Sequence, residues 1–254
     1  MRALLFDATR CLGCGACTTA CCQVNGLPEP DDQDLCDHQF TVVKQVGGSS
    51  GDLNIRRLCM HCLEPTCVSV CPVGALRKLA SGPVVYDAGI CMGCRYCLQA
   101  CPFGVPRYEW TSLQPRVRKC NFCARRVAAG KPNACAEACP TGATICGERE
   151  ALLERARTRL AREPDKYVHQ IYGEADVGGT CVLVLSPVRF GQLGLPEKLP
   201  GEPLPALTFA ALSKAPAVVG AGGVLLAGLW WLTQRKAEVS RAEGPEQAGK
   251  RGPR

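Results

Sequence analysis

The chain has 254 residues, of which 20 are cysteine, and a formal net charge of +7. A chain of this length carries its own hydrophobic core and we expect no secretory leader, so the disulfide framework of small secreted proteins is not favoured. The sequence contains neither a glycine-rich dinucleotide fingerprint nor a P-loop, which leaves nicotinamide and ATP chemistry without a binding motif.

Sixteen of the 20 cysteines fall into four runs of four. The runs are Cys11-x2-Cys14-x2-Cys17-x3-Cys21, Cys59-x2-Cys62-x4-Cys67-x3-Cys71, Cys91-x2-Cys94-x2-Cys97-x3-Cys101 and Cys120-x2-Cys123-x11-Cys135-x3-Cys139. Three thiolates in one short loop can hold three corners of an iron–sulfur cube, while the fourth points toward a different cube. The runs therefore predict four [4Fe–4S] clusters and a role in electron transfer.

Zinc is the main alternative to iron, because C-x2-C pairs are also its usual signature. A zinc site needs only two such pairs and uses neither a third cysteine in the same loop nor a proline after the fourth. Three runs end in Cys-Pro, at Cys71, Cys101 and Cys139, whereas Cys22 occupies the proline position in the first. The spacing favours clusters, and a zinc-binding structural protein is kept as an alternative.

The fourth cysteine of each run is expected to ligate the cluster of a partner run. Only residues 72–90 separate the second and third runs, with a turn predicted at 74–76 and a strand at 84–86, so these runs form one pair and the first and fourth form the other. The predicted ligand sets are site 1 (Cys11, Cys14, Cys17, Cys139), site 2 (Cys21, Cys120, Cys123, Cys135), site 3 (Cys59, Cys62, Cys67, Cys101) and site 4 (Cys71, Cys91, Cys94, Cys97). The alternative is that each run serves its own cluster.

We expect an α+β fold with two interleaved bacterial-ferredoxin-like dicluster units and a single C-terminal transmembrane helix. After the last run, Glu148–Arg162 is predicted to be an amphipathic helix and residues 180–185 a buried strand. The predicted parts are an outer unit (1–58 and 102–147), an inner unit (59–101), a covering segment (148–190), a proline-rich linker (191–213), a transmembrane helix (214–234) and a basic tail (235–254).

Residues 215–233 carry no charge and are rich in valine, leucine and tryptophan. At about 1.5 Å per residue, such a helix just crosses a hydrocarbon core of about 30 Å. Its four glycines suit close packing against another helix, and Trp230 and Trp231 suit the membrane boundary. A buried soluble helix is the alternative.

Flanking charge predicts the orientation of this helix. The tail carries six basic residues after Thr233, against Lys198 and Lys214 on the other side, so we expect the tail to be cytoplasmic and the cluster domain to be extracytoplasmic. We expect no twin-arginine or Sec leader in residues 1–7, which is a difficulty for an extracytoplasmic cluster domain. A cytoplasmic cluster domain is the alternative.

No catalytic residues are predicted outside the cluster motifs. His61 lies within Cys59-x2-Cys62 and is expected to form a hydrogen bond near a cluster rather than to ligate iron, while His38 and His169 are expected to be surface or structural residues. The cysteines outside the runs are expected to be small buried hydrophobic residues. These are Cys22, Cys36, Cys146 and Cys181.

The basic excess includes a group on either side of Cys120, formed by Arg116, Arg118, Lys119, Arg125 and Arg126. It does not require nucleic acid as a partner, because four thiolate-ligated cubes bring roughly −8 and leave the loaded protein near neutral. We interpret the excess as counter-charge.

The motifs Cys59-Met60-His61-Cys62 and Cys91-Met92-Gly93-Cys94, with the stretch Ile171-Tyr172-Gly173-Glu174, resemble a known family. It comprises the four-cluster electron-transfer (beta) subunits of membrane-bound oxidoreductases. Members include the iron–sulfur subunits of hydrogenase-2 and respiratory formate dehydrogenase, and the electron subunits of dimethyl sulfoxide and polysulfide reductases. The resemblance extends from about Phe6 to the C-terminal helix.

The resemblance implies that the chain relays single electrons between a catalytic subunit and a quinone-reactive membrane subunit, with site 1 facing the catalytic partner. That partner would be a hydrogenase or a molybdopterin or tungstopterin enzyme, exported together with this chain. The chain would contact lipid through its helix and bind no substrate of its own. A self-contained iron–sulfur reductase is the alternative.

Overall fold

The computed structural model describes residues 1–31, 34–48 and 51–242. The chain divides into two compact units, Met1–Ala206 and Leu207–Arg254. The strands are β1 (Arg2–Asp7), β2 (Thr41–Gly48), β3 (Gly51–Leu58), β4 (Leu76–Lys78), β5 (Val84–Tyr86), β6 (Arg107–Tyr108), β7 (Val117–Arg118), β8 (Thr144–Glu148) and β9 (Val182–Leu185). The α-helices are α1 (Ala16–Asn25), α2 (Thr66–Ser69), α3 (Tyr96–Gln99), α4 (Ala124–Ala128), α5 (Ala134–Glu137), α6 (Arg149–Arg162), α7 (Leu204–Leu212) and α8 (Ala215–Ala242).

A three-stranded sheet in the order β8-β1-β9 lies at the centre of the first unit. β1 pairs antiparallel with β8 and parallel with β9, so that Phe6 lies opposite Thr144 on one side and Val184 on the other. All four residues of β9 are buried, as expected for an apolar strand covered on both faces. The predicted buried strand is therefore confirmed over Val182–Leu185.

Helix α6 packs against this sheet. Its bounds agree with the predicted amphipathic helix, and Leu152, Leu153 and Ala156 are its buried residues. Leu160 is partly buried against the same core. Apolar residues recur every three to four positions along α6, which is the period of a helix. The sequence therefore predicts which face of α6 packs against β1 and β8.

Three antiparallel hairpins, β2–β3, β4–β5 and β6–β7, lie between the cysteine runs along the chain. The strand predicted at 84–86 is confirmed as β5. A small second hydrophobic cluster joins two of these hairpins, because Leu76 and Val84 of β4–β5 pack with Tyr108 and Val117 of β6–β7. The β6–β7 hairpin thus packs with β4–β5, although it follows residue 101, the predicted end of the inner unit.

The C-terminal part differs from the prediction in two respects. The predicted linker at 191–213 contains helix α7, with Pro205 as its second residue. A proline is compatible with the first helical turn because amide groups there need no partner within the helix. Helix α8 continues beyond the predicted 214–234 span to Ala242, because Arg235 and Lys236 are strong helix formers.

Helix α8 is long and apolar enough to cross a membrane. The candidate span, Ala215–Arg241, has 27 residues and an apolar window with a mean hydropathy of 1.7 that is 0% buried. Length and composition therefore agree with the predicted membrane anchor.

Candidate iron–sulfur sites

Residues in the left-handed region of φ shape all four cysteine loops. Gly13 and Gly15 have φ of 72° and 71° in the first loop, and Gly93 and Arg95 have φ of 75° and 63° at the equivalent places in the third. The second and fourth loops contain His61, Phe122 and Cys123 in the same conformation. Such residues bend the backbone into a tight loop, a conformation in which amide groups can converge on an anion.

Backbone amides donate to the sulfurs of the cysteines that precede proline. The amide of Ala75 lies 3.2 Å from Cys71 Sγ, and that of Thr144 lies 3.4 Å from Cys139 Sγ. Burial works to raise the pKa of both thiols, but the surrounding amides, joined at Cys139 by the Thr141 hydroxyl, outweigh it and leave each pKa below its ordinary value. Both loops are therefore arranged for a thiolate rather than a thiol.

The structure brings the four cysteines of site 1 together. Burial raises the pKa of the Cys11 thiol, and the other three sulfurs of site 1, which lie near it, raise it too. All four cysteines line one cavity. Cys139, the last cysteine of the fourth run, thus lies with the first three cysteines of the first.

The cysteines of site 4 are grouped in the same way. Burial raises the pKa of Cys97 to about 11, and the sulfurs of the other three cysteines of site 4 contribute to the shift. These four also line a cavity, whose wall includes Tyr86 and Val117. Cys71 comes to this group from the second run.

Sites 2 and 3 lie deeper in the chain. Burial raises the pKa of Cys21 to about 12, with the sulfurs of Cys135 and Cys123 contributing, and it raises that of Cys120 well above its ordinary value. In site 3, burial raises the pKa of Cys62, and the other three cysteines of the site add to the effect. The two inner groups are therefore better shielded from water than the thiols of Cys71 and Cys139.

Each group of sulfurs lies beside the next. Cys17 of site 1 interacts electrostatically with Cys135 of site 2. Two further pairs, Cys120 with Cys59 and Cys67 with Cys97, link site 2 to site 3 and site 3 to site 4. The four groups therefore neighbour one another in the order 1, 2, 3, 4.

His61 provides a test of whether these residues fit a cluster. Its Nδ1 accepts the amide of Val84 at 2.9 Å, so the proton of the neutral ring is on Nε2. Burial, together with Lys119 and Lys78, lowers the pKa of His61 well below its ordinary value and keeps the ring neutral. Nε2 is buried and has no hydrogen-bond partner among the described residues.

A buried N–H group nearly always has an acceptor. The sulfur atoms of an iron–sulfur cluster are acceptors of this kind, and His61 lies inside the Cys59-x2-Cys62 motif. The orphaned Nε2–H, the four-sulfur groups and the amide donors are all consistent with [4Fe–4S] clusters. That His61 forms a hydrogen bond near a cluster stays a prediction.

Buried and half-buried basic residues accompany the sulfurs. Lys119 is buried and donates to Val84 O at 2.5 Å and Cys120 O at 3.1 Å. Lys78 donates to His61 O at 3.0 Å. Sequence reasoning identified Lys119 only as one of a basic group and missed Arg56, which is also buried. A lone arginine in a hairpin strand gives no motif by which to find it.

The four cysteines outside the runs differ in burial. Cys22 and Cys181 are buried, as predicted, but Cys36 and Cys146 are half-buried, which corrects that expectation. Cys146 lies on β8, an edge strand of the sheet. The two remaining histidines are as expected, because His38 pairs with two aspartates near the surface and His169 is exposed.

The sequence is similar to those of known proteins. Residues 53–149 match the family model described as a 4Fe-4S dicluster domain. The Hydrogenase-2 operon protein HybA of Escherichia coli O157:H7 is 37% identical over 238 residues, which cover 76% of this chain and 72% of that protein. The nitrate-inducible formate dehydrogenase iron–sulfur subunit of Escherichia coli (strain K12) is 35% identical over 197 residues, 71% of this chain and 66% of that protein.

The chain belongs to this iron–sulfur subunit family. A protein of Nitratidesulfovibrio vulgaris is also similar, at 38% identity over 257 residues, which cover 96% of this chain and 70% of that one. The resemblance seen in the cysteine motifs is thus confirmed. The family match includes the second, third and fourth cysteine runs.

Proposed function

We propose that this iron–sulfur subunit relays single electrons through four [4Fe–4S] clusters held at sites 1 to 4. The observation that carries the proposal is the row of four sulfur groups, each beside the next. A row of adjacent redox centres lets an electron cross a protein in short steps. Each bound cluster supplies one such one-electron centre.

The chain's own residues have three roles in this relay. The sixteen cysteines of sites 1 to 4 hold the iron, and the exchange of fourth cysteines between runs fixes neighbouring sites at a constant separation. Backbone amides such as that of Ala75 stabilise the thiolates. Buried Lys119 and Arg56 offset negative charge in an interior that excludes water.

Electrons would enter and leave at the two ends of the row. At site 1, Cys14 is exposed and Leu12 beside it is 72% exposed, and in the site 4 loop Met92 is 65% exposed. We assign site 1 to a catalytic oxidoreductase subunit and site 4 to a quinone-reactive membrane subunit. The names of the relatives, a hydrogenase-2 operon protein and a formate dehydrogenase iron–sulfur subunit, support partners of this class.

The paired runs would form two interleaved ferredoxin-like units, an outer one (1–58 and 102–147) and an inner one (59–101). The packing of Tyr108 and Val117 against Leu76 and Val84 supports extending the inner unit to include the β6–β7 hairpin. Residues 148–190 would cover both units.

Helix α8 would anchor the subunit in lipid, with the basic tail in the cytoplasm and the cluster domain on the outer side. The exposed apolar window of this helix supports the anchor. Extraction by detergent but not by salt tests the anchor, and protease digestion of right-side-out spheroplasts tests the orientation. Release by salt alone, or protection of the cluster domain, would contradict the respective assignment.

The subunit would carry out no substrate chemistry itself. This follows from the ligand sets, since four sulfurs per site leave no iron corner open to substrate. The purified chain should therefore show no turnover with hydrogen, formate or a quinone analogue. Turnover by the single chain would favour a self-contained reductase instead.

Metal analysis tests whether the chain holds four [4Fe–4S] clusters. The anaerobically purified chain should be brown and contain about sixteen iron and sixteen acid-labile sulfide atoms. A colourless protein with zinc would identify the structural zinc alternative.

The exchange of fourth cysteines is tested with single cysteine variants. Cys101→Ser should perturb the electron paramagnetic resonance (EPR) signal that is lost in Cys62→Ser. Perturbation of the signal lost in Cys94→Ser would show that each run serves its own cluster.

A further inference from the structure

Arg56 lies on the face of β3 that is turned toward the first cysteine loop. Asn54, two residues earlier on the same strand face, donates from Nδ2 to Cys11 O at 3.1 Å. Arg56 itself is only 3% exposed. The strand therefore places a guanidinium inside the protein, close to the cysteine loops.

The hydrogen bonds of Arg56 position its charge without neutralising it. Its Nε donates to Thr41 Oγ1 at 2.9 Å and its Nη1 to Thr144 Oγ1 at 3.2 Å. The amide of Thr144 in turn donates to Cys139 Sγ of site 1 at 3.4 Å. No carboxylate among the described residues forms an ion pair with Arg56. A buried cation without an anionic partner is costly, so this charge requires one.

The sulfurs of two different sites meet that requirement. Cys17 of site 1 and Cys135 of site 2 both interact with the guanidinium, and Cys120 adds to the effect. Arg56 thus lies where sites 1 and 2 adjoin.

We propose that Arg56 is a shared counter-charge that raises the reduction potentials of the clusters at sites 1 and 2. The inference rests on the proposed function, since it requires clusters at these sites. Reduction adds one electron to a cluster and makes its site one unit more negative. A fixed cation in a water-poor interior stabilises that added charge, and it acts on both sites because it adjoins both.

The test is a redox titration of the anaerobically purified full-length chain with dithionite, followed by EPR spectroscopy. Signals are first assigned with Cys14→Ser for site 1 and Cys123→Ser for site 2. In Arg56→Gln, the reduced-to-oxidised ratio at a fixed solution potential should fall about tenfold at both sites, which is about 59 mV for one electron. The potentials of sites 3 and 4 should not change.

Arg57→Gln is the matched control, because it removes the same charge from the next residue, whose Nη1 donates to Gly194 O at 3.2 Å. It should leave the potentials of sites 1 and 2 unchanged. Arg56→Lys keeps the charge but loses the planar fork, so the same two potentials should fall by less than in Arg56→Gln. If Arg56→Gln does not assemble its clusters, the redox titration of Arg56→Lys still tests the inference.

Unchanged potentials at sites 1 and 2 in both Arg56 variants, or equal shifts at all four sites, would overturn the inference. So would a shift of the same size in Arg57→Gln. The proposed function fails in a different way, by an absence of iron and sulfide from the wild-type chain. Iron analysis of every variant therefore separates the two failures.

Discussion

Gly13 lies between the first two cysteines of site 1, and replacing it with alanine perturbs two things at once. Its φ of 72° is in the left-handed region, where a side chain costs about 1–2 kcal/mol. A Cβ at this position would also lie 2.6 Å from Asn54 Oδ1. Asn54 would have to move, and its hydrogen bond to Cys11 O would be lost at a cost of about 1 kcal/mol.

Gly15 separates these two effects. It has nearly the same φ, 71°, but no atom lies within 4 Å of where its Cβ would be. Gly15→Ala should therefore carry only the backbone cost of about 1–2 kcal/mol, and Gly13→Ala roughly 2–3 kcal/mol. The difference of about 1 kcal/mol corresponds to roughly a fivefold difference in cluster retention at site 1.

The assay is the loss of the site 1 EPR signal during anaerobic incubation with an iron chelator. Gly13→Ala should lose it about five times faster than Gly15→Ala if the destabilisation is expressed in the opening of the loop. In an Asn54→Ala background the difference between the two variants should disappear, because the contact has been removed. Equal loss rates in the single variants, or a difference that persists without Asn54, would refute the reasoning.

Three further predictions concern other parts of the chain. Arg159→Met should lower the free energy of unfolding by about 3 kcal/mol in denaturant titrations, because it removes the cation 2.7 Å from the buried Asp7 carboxylate. Asp31 raises the pKa of His38 in the folded protein. The resulting stabilisation is present below the ordinary histidine pKa of about 6.5 and is lost as pH rises through the pKa of the folded protein. His38→Asn should therefore lower Tm near about pH 5.5 but not near about pH 8.5. Leu225→Arg should cost about 3 kcal/mol at the centre of α8 and move the protein into the salt-soluble fraction, as measured by immunoblotting of membranes.

The secondary structure that depends on periodicity was predictable from the sequence. The amphipathic helix and the buried apolar strand were found within one or two residues because their patterns arise locally, from burial of one face or of both. Helix α7 was missed because prolines at 196, 200, 203 and 205 resemble a linker. A helix accepts proline in its first turn, so the position of each proline matters more than the number of prolines in the segment.

The spacing of the cysteines predicts which sulfurs share a loop, whereas the surroundings of those sulfurs were not predictable. A run such as Cys91 to Cys101 shows which sulfurs share a loop. It does not show that the Thr144 amide donates to Cys139 Sγ, or that the ring of His61 packs with Phe122 at 4.7 Å between centroids. Such contacts join segments far apart in the chain, and no local pattern encodes them.

Two buried basic residues provide the positive charge that the clusters require. The net charge of +7 predicts counter-charge for clusters but not which residues provide it. Lys119 and Arg56 are buried against carbonyls, hydroxyls and cysteine sulfurs, without carboxylate partners among the described residues. Without clusters, these cations would lie uncompensated in the interior, which is unfavourable. Cluster insertion should therefore stabilise the fold itself, as metal binding does in other proteins whose sites form only on folding.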